Sequence, residues 1–254
     1  MNVSLRRGAY IADVFAGEGS VANKVRRQGF NAREWDTVNH KSQDLTCEKV
    51  RGKIKHDIKN GLCLGLMFAP PCTTWSVARS RRHPLRSKKF ARGLPKLAPE
   101  ARAEVRLGNR VLDACLDLID CADRARTPWI LENPIGSFMF HDDKLQKRAS
   151  RRTCDTTVVD QCLFGAAWRK RTRLLLGNID AQDACKLDCR CSSRSGFCDR
   201  TGRPHVVLQG RGENGLPRTS AAQTYPAAMS HALASTLLSL ARSFFLPPTP
   251  PSAW

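Results

Sequence analysis

The sequence predicts an α/β domain built on a mostly parallel sheet. Three observations carry that prediction. Short apolar runs alternate with helix-period segments through the first part of the chain. Leu62 to Ala69 is almost continuously apolar, as a strand covered on both faces must be. Glycines 17 and 19 directly follow the first apolar run, where a parallel sheet hands over to its first helix.

Taken in order, Tyr10 to Phe15 reads as the first strand, and a helix follows from Ser20 to Gln28. Phe30 to Trp35 is the second strand and Lys53 to Ile58 a short third, ahead of the apolar strand at 62–69. From Pro99 to Ala125, Val105, Leu112, Cys115, Ile119 and Ala122 recur at helical spacing, the strongest helical pattern in the chain. Trp129 to Leu131, Thr156 to Val159 and Arg173 to Leu176 read as further strands, and Ala227 to Phe244 as a last helix. The pattern dissolves after Gly177 into a cysteine-rich and then a glycine-rich stretch. Four prolines in Leu246–Trp254 predict an extended tail.

Composition narrows the function. Against 23 Asp and Glu stand 42 Lys and Arg, a net charge of +19, which points to a polyanionic partner, most often nucleic acid. With 41% hydrophobic and 26% charged residues, the chain is neither disordered nor collagen-like. Its longest apolar run is far short of the roughly 20 residues of a membrane helix, so no membrane partner is expected. The opening residues lead into no apolar signal region, so the chain reads as unsecreted and intracellular, without indicating a compartment. The eleven cysteines are then thiols, metal ligands or catalytic groups rather than a disulfide framework. Oligomeric state is not legible; a monomer is the default.

The charge is uneven. No acidic residue lies between Asp57 and Glu100, and seven Lys and Arg crowd into Arg79–Arg92. Such mutual repulsion predicts a mobile loop until an anion neutralises it. Ser76, Arg79, Arg81, Arg82, Arg86, Lys88 and Lys89 are the nucleic-acid candidates it supplies.

Four motifs carry chemistry. In Asp13-Val14-Phe15-Ala16-Gly17-Glu18-Gly19 the glycines let backbone approach a ligand, although the three-glycine dinucleotide fingerprint is incomplete. Glu34 is placed to bind ribose hydroxyls, Trp35 to stack, and Asp57 to accept from an adenine amino group, which together suggest an adenosine derivative. In Ala69-Pro70-Pro71-Cys72 the prolines aim Cys72 out of the sheet edge, and the following basic loop is expected to lower its pKa. Leu131-Glu132-Asn133-Pro134 brings a carboxyl group to the same crevice, able to hold a proton if desolvated. In Arg169-Lys170-Arg171-Thr172-Arg173, alternation puts Arg169, Arg171 and Arg173 on one face, toward a base edge or phosphates.

In this order the motifs D-V-F-A-G-E-G, E-W-D, H-D-I, P-P-C-T-T-W-S, L-E-N-P and R-K-R-T-R resemble those of the DNA (cytosine-5) methyltransferase family, over roughly Ala9–Gly177, with Tyr225–Ala234 a weaker match. The resemblance implies a Rossmann-like S-adenosylmethionine-dependent methyltransferase sheet. S-adenosylmethionine would be bound through Asp13, Phe15, Gly17, Gly19, Glu34, Trp35, Asp57 and Pro70. It implies Cys72 as the nucleophile at cytosine C6, Glu132 at N3, and Arg171 or Arg173 on the base of a cytosine flipped out of duplex DNA. RNA as the polymer, or a catalytically weak nucleic-acid-binding relative, are the alternatives.

The chain departs from the family pattern at Thr73, Pro134 and Arg169, and it lacks a Gly-Asn pair before the last helix. The implied organisation is a catalytic domain over 1–177, a small Cys-rich target-recognition region over 178–222, a C-terminal helix over 223–245 packing back, and a tail over 246–254. Within the Cys-rich region Cys185, Cys189, Cys191, Cys198 and His205 are the candidate ligands of a structural zinc, or free thiols.

Overall fold

The computed structural model describes residues 7–80, 83–193, 196–210, 215 and 218–243. A six-stranded sheet organises them in the order β2-β1-β3-β4-β6-β5. β1 (Tyr10–Val14), β2 (Asn31–Trp35), β3 (Cys63–Phe68) and β4 (Trp129–Pro134) are parallel. β5 (Cys154–Asp160) and β6 (Arg171–Gly177) form an antiparallel pair, with β6 inserted beside β4. The result is a mostly parallel, Rossmann-like α/β fold, as the sequence predicts.

Each connection covers one face. α1 (Ser20–Arg27) and α7 (Ala227–Ser243) pack on each other, and α7 also lies on β3. Val21, Val25, Met67, Ile130, Leu174, Leu176, Met229, Leu233 and Leu237 form their shared core. α2 (Glu48–Lys59) and the 27-residue α4 (Pro99–Ala125) cover the opposite face through Ile54, Ile58, Phe68, Leu112, Ile119, Leu131 and Leu175. Short helices complete the chain: α3 (Val77–Ser80), α5 (Asp143–Ala149) and α6 (Ala181–Cys185).

The expected strand at Lys53–Ile58 is part of α2. Val50, Ile54 and Ile58 are buried four residues apart, a helical stripe. The alternation of isoleucine with polar residues within the short window imitates a strand. The extended tail expected over 246–254 lies outside the described residues. No described helix is long and apolar enough to cross a membrane.

Candidate active site

The carboxyl ends of β1, β3 and β4 converge, and a buried carboxyl group sits among them. Glu132, near the end of β4, is 6% exposed. Its Oε2 accepts a 2.9 Å hydrogen bond from the Tyr225 hydroxyl, while buried Oε1 has no partner. Burial pushes its pKa up, with Lys170 and the Tyr225 and Thr172 hydroxyls pulling the other way. Next to it, the Asn133 amide donates to the Pro70 carbonyl at 2.9 Å, clamping the proline loop after β3 to the end of β4.

That loop presents Cys72, which is partly exposed. Its carbonyl accepts from the Trp75 and Ser76 amides at 3.0 and 2.9 Å, closing a tight turn around the thiol. Burial raises the Cys72 pKa, Lys170 lowers it and Glu132 raises it. Among the described residues the cation acting on the thiol is Lys170, not one of the 79–92 segment, of which Arg81 and Arg82 lie outside them. Lys170 in turn donates to the Ala222 carbonyl at 2.9 Å.

The arginines of the basic motif have other commitments. Glu132 is in register with Leu174 of β6, and Asn133 with Arg173. Opposed residues of an antiparallel pair share a face, so Arg171 and Arg173 lie on the face of β6 opposite Glu132. Arg171 forms a two-pronged pair with buried Asp160, at 3.0 and 2.9 Å, and Arg169 approaches the same carboxylate at 3.3 Å. Arg173 lies over the Phe140 ring at 4.8 Å. Alternation holds as predicted, but the shared face is not the one that carries Glu132.

At the other end of the carboxyl edge, the turn after β1 is conformationally demanding. Phe15, Gly17 and Gly19 have φ of 62°, 54° and 65°, in the left-handed region. The Gly17 amide donates to Asp36 at 3.0 Å. A Cβ on Gly19 would stand 2.9 Å from the mobile end of the Glu34 side chain, so it is the left-handed φ that favours glycine there. Buried Asp13 accepts from the Ala22 amide at 2.9 Å, holding the start of α1. Glu34 pairs with Arg26 at 2.7 Å, and the buried Trp35 Nε1 has no partner.

Asp57 borders one cavity with Trp35 but does not reach the glycine turn. It lies near the end of α2, where it accepts from the hydroxyl of Tyr10, the first residue of β1, at 2.7 Å. It also pairs with Arg33 at 2.9 Å. Because α2 returns the chain to the amino ends of the strands, Asp57 is at the wrong end of the sheet for an adenine contact. Asp44, in the loop between β2 and α2, is instead on the carboxyl side. Its neighbour Gln43 accepts from the Asp36 amide at 3.0 Å, which ties this loop to the glycine turn. The available signal was the Asp-Leu pair just before the α2 pattern.

The basic segment is half built into the fold instead of standing free. Arg86 is 1% exposed and stacks on the Trp75 ring at 3.4 Å. It donates to the carbonyls of Thr74, Ala91 and Val105 and to the side chains of Thr74 and Asn109. It is thus a packing element and no nucleic-acid contact. Arg79 pairs with Glu104 at 2.7 Å. Lys88 and Lys89 are exposed and Ser76 is half-buried, while Arg81 and Arg82 lie outside the described residues.

The strap before α7 ties together the glycine turn and the end of β4. Thr224 donates to Glu18 of the glycine turn at 2.9 Å, and Tyr225 reaches Glu132. Tyr225 also lines a cleft of about 550 Å³ with Phe164, Trp168 and Pro226.

No family model matches the chain, and no curated protein does. Among solved structures it is similar to EhMeth, a methyltransferase of Entamoeba histolytica, at 9% identity and a TM-score of 0.43, spanning 93% of this chain and 99% of that one. It is also similar to the S. pombe Dnmt2 methyltransferase, at 10% identity and a TM-score of 0.40, spanning 75% of this chain and 57% of that one. Both neighbours are methyltransferases.

Of the candidate metal ligands, Cys191, Cys198 and His205 come together, and the fourth member of their group is Cys162. Cys185 is exposed at the end of α6. The Cys189 sulfur turns back to the Lys186 carbonyl at 3.8 Å. Both are corrected out of the set. Sequence proximity had favoured them, whereas Cys162 is brought in from the turn after β5.

Proposed function

We propose that the chain is an S-adenosylmethionine-dependent cytosine-5 methyltransferase acting on nucleic acid, with duplex DNA as the substrate the motif order favours. The observation that carries this reading is the buried carboxyl group of Glu132, held within electrostatic reach of the Cys72 thiol and the Lys170 ammonium at the carboxyl ends of the strands.

The residues fit S-adenosylmethionine at the carboxyl ends of β1 and β2. The left-handed turn at Phe15, Gly17 and Gly19 keeps backbone close to that space. Glu34 would take the ribose hydroxyls, the partly buried Trp35 ring would stack, and Asp44 would accept from the adenine amino group. Asp13 holds α1 in place, and Pro70 frames the crevice. When bound there, S-adenosylmethionine supplies an electrophilic methyl group.

The chain's own groups prepare the base. Lys170 favours the Cys72 thiolate, which adds to C6 and turns C5 into an enamine carbon able to attack. Glu132, whose burial favours the protonated form, would hydrogen-bond N3 and balance charge developing on the ring. Loss of the C5 proton and expulsion of the thiolate restore the aromatic ring. Extracting the base costs a few kcal/mol, and the aromatic cleft beside Tyr225 offers a stacking surface against that cost.

An oligonucleotide carrying 5-fluorocytosine tests this, because fluorine at C5 cannot leave as a proton and the adduct is trapped. With S-adenosylmethionine present, a covalent complex is expected for wild type and not for Cys72→Ser. No complex on either DNA or RNA would overturn the nucleophile assignment, and the two polymers run side by side decide the substrate.

A further inference from the structure

We propose that Cys162, Cys191, Cys198 and His205 bind one zinc ion, through three thiolates and one imidazole nitrogen, and that this ion holds the 189–206 segment onto the sheet. The four ligand atoms lie within 4.8 Å of one another. A tetrahedral site with metal–sulfur bonds of about 2.3 Å places its ligands about 3.8 Å apart, and Cys191 Sγ already stands 3.7 Å from His205 Nε2. The other imidazole nitrogen, Nδ1, is 3.4 Å from the Ser193 hydroxyl, which leaves Nε2 as the ligand.

The backbone around the sulfurs is arranged for thiolates. The Asp199 amide points at Cys191 Sγ at 3.5 Å. The amides of Arg200 and Thr201 turn toward Cys198 in the same way. Three sulfurs this close, with amide donors turned toward two of them, form a ligand set suited to a cation.

Among its described residues the segment has no other core. Its buried cluster consists of Cys162, Cys191 and Cys198, with Leu163 partly buried beside them, while Phe197, Val206 and Val207 are exposed. The ligands are drawn from separate places: Cys162 follows β5, Cys191 follows the Val159–Cys189 bridge, and Cys198 and His205 flank the Phe197–Pro204 bridge. Asp160 joins this knot to β6, since it accepts from the Cys191 amide at 2.8 Å and pairs with Arg171. A small segment without an aliphatic core is where a structural metal contributes most to folding.

The full chain, purified under reducing conditions, should retain about one zinc ion by elemental mass spectrometry. The cobalt-loaded protein should show sulfur-to-cobalt charge transfer and the intense visible bands of tetrahedral coordination. Cys162→Ser and Cys198→Ser should each lose the metal, and the double variant Cys185→Ser/Cys189→Ser should keep it all. Two results would overturn the proposal: reduced wild-type protein that takes up neither zinc nor cobalt, or metal lost in the Cys185/Cys189 double variant and retained in Cys162→Ser. A disulfide among Cys162, Cys191 and Cys198 in metal-free protein, found by non-reducing peptide mapping, would overturn it as well. None of these measurements depends on methyl transfer.

Discussion

Cys72 and Glu132 raise each other's difficulty, and Lys170 is the group that eases both. A carboxylate beside a thiol opposes thiolate formation, and burial penalises either charge. Lys170→Gln removes a cation that acts on both groups, so the alkylation of Cys72, followed peptide by peptide, should become severalfold slower at neutral pH. Lys170→Arg should recover much of the rate. Equal rates in wild type and Lys170→Gln would remove Lys170 from the site. Cys72→Ser should lower methyl transfer by about 10⁴-fold or more while leaving the melting temperature near that of wild type.

Asp13 gives a pH prediction at the same scale. Burial, partly offset by the Ala22 amide, raises its pKa from 3.8 to about 7. An acid raised in the folded state holds its proton more tightly there than in the unfolded chain. Its burial therefore costs nothing below 3.8, and the cost grows until pH passes about 7. Asp13→Asn keeps an acceptor for the Ala22 amide and removes the charge. It should stabilise the protein at about pH 8, by at most about 4 kcal/mol, and leave stability unchanged near pH 4. Thermal melts of both proteins at the two pH values check this, and a gain of equal size at both would refute the role of the charge.

At the scale of elements, the tie between the Cys72 turn and α4 runs through Arg86. Its guanidinium satisfies three carbonyls and two side chains inside the fold. Arg86→Ala leaves those acceptors buried and should cost about 3–5 kcal/mol. Arg86→Lys should recover little, because an ammonium cannot span the same fork or stack on Trp75. Chemical denaturation of the three proteins measures it.

Arg86 also marks where the sequence stopped being legible. Strands, long helices and the loops carrying Cys72 and Glu132 could be read, because hydrophobic period and turn residues are local signals. Whether an arginine in a basic run faces water or a tryptophan twelve or so residues away is a tertiary fact with no local period. The same holds for Cys162, which joins its cluster across a turn, and for Arg171 and Arg173. Their alternation could be read, but which face of β6 they share is set by the antiparallel insertion beside β4. Asp57 failed for the converse reason: a short window of α2 has the alternation of a strand, and only the four-residue spacing of Val50, Ile54 and Ile58 distinguishes them.

At the scale of the molecule, the charge of +19 is distributed by how the acids are used. Asp113, Asp117, Asp120 and Asp123 lie along α4 and are met by Arg51, Lys55, Arg92, Lys144, Arg148 and Arg151. The acidic face of α4 is thus neutralised from α2, α5 and the basic segment, which leaves the excess positive charge on other surfaces. Exposed Lys88 and Lys89 stand in the segment that follows the Cys72 turn and have room to meet phosphates. Binding of an oligonucleotide should weaken linearly on a log–log plot against salt, since each phosphate contact releases a counterion. Lys88→Ala/Lys89→Ala should reduce that slope by about 2 for duplex DNA and leave the melting temperature unchanged. Fluorescence anisotropy across a salt series, with thermal melts of the same samples, separates the outcomes. An unchanged slope would move the polyanion away from this segment, whereas a lost slope with a lowered melting temperature would assign the two lysines to folding.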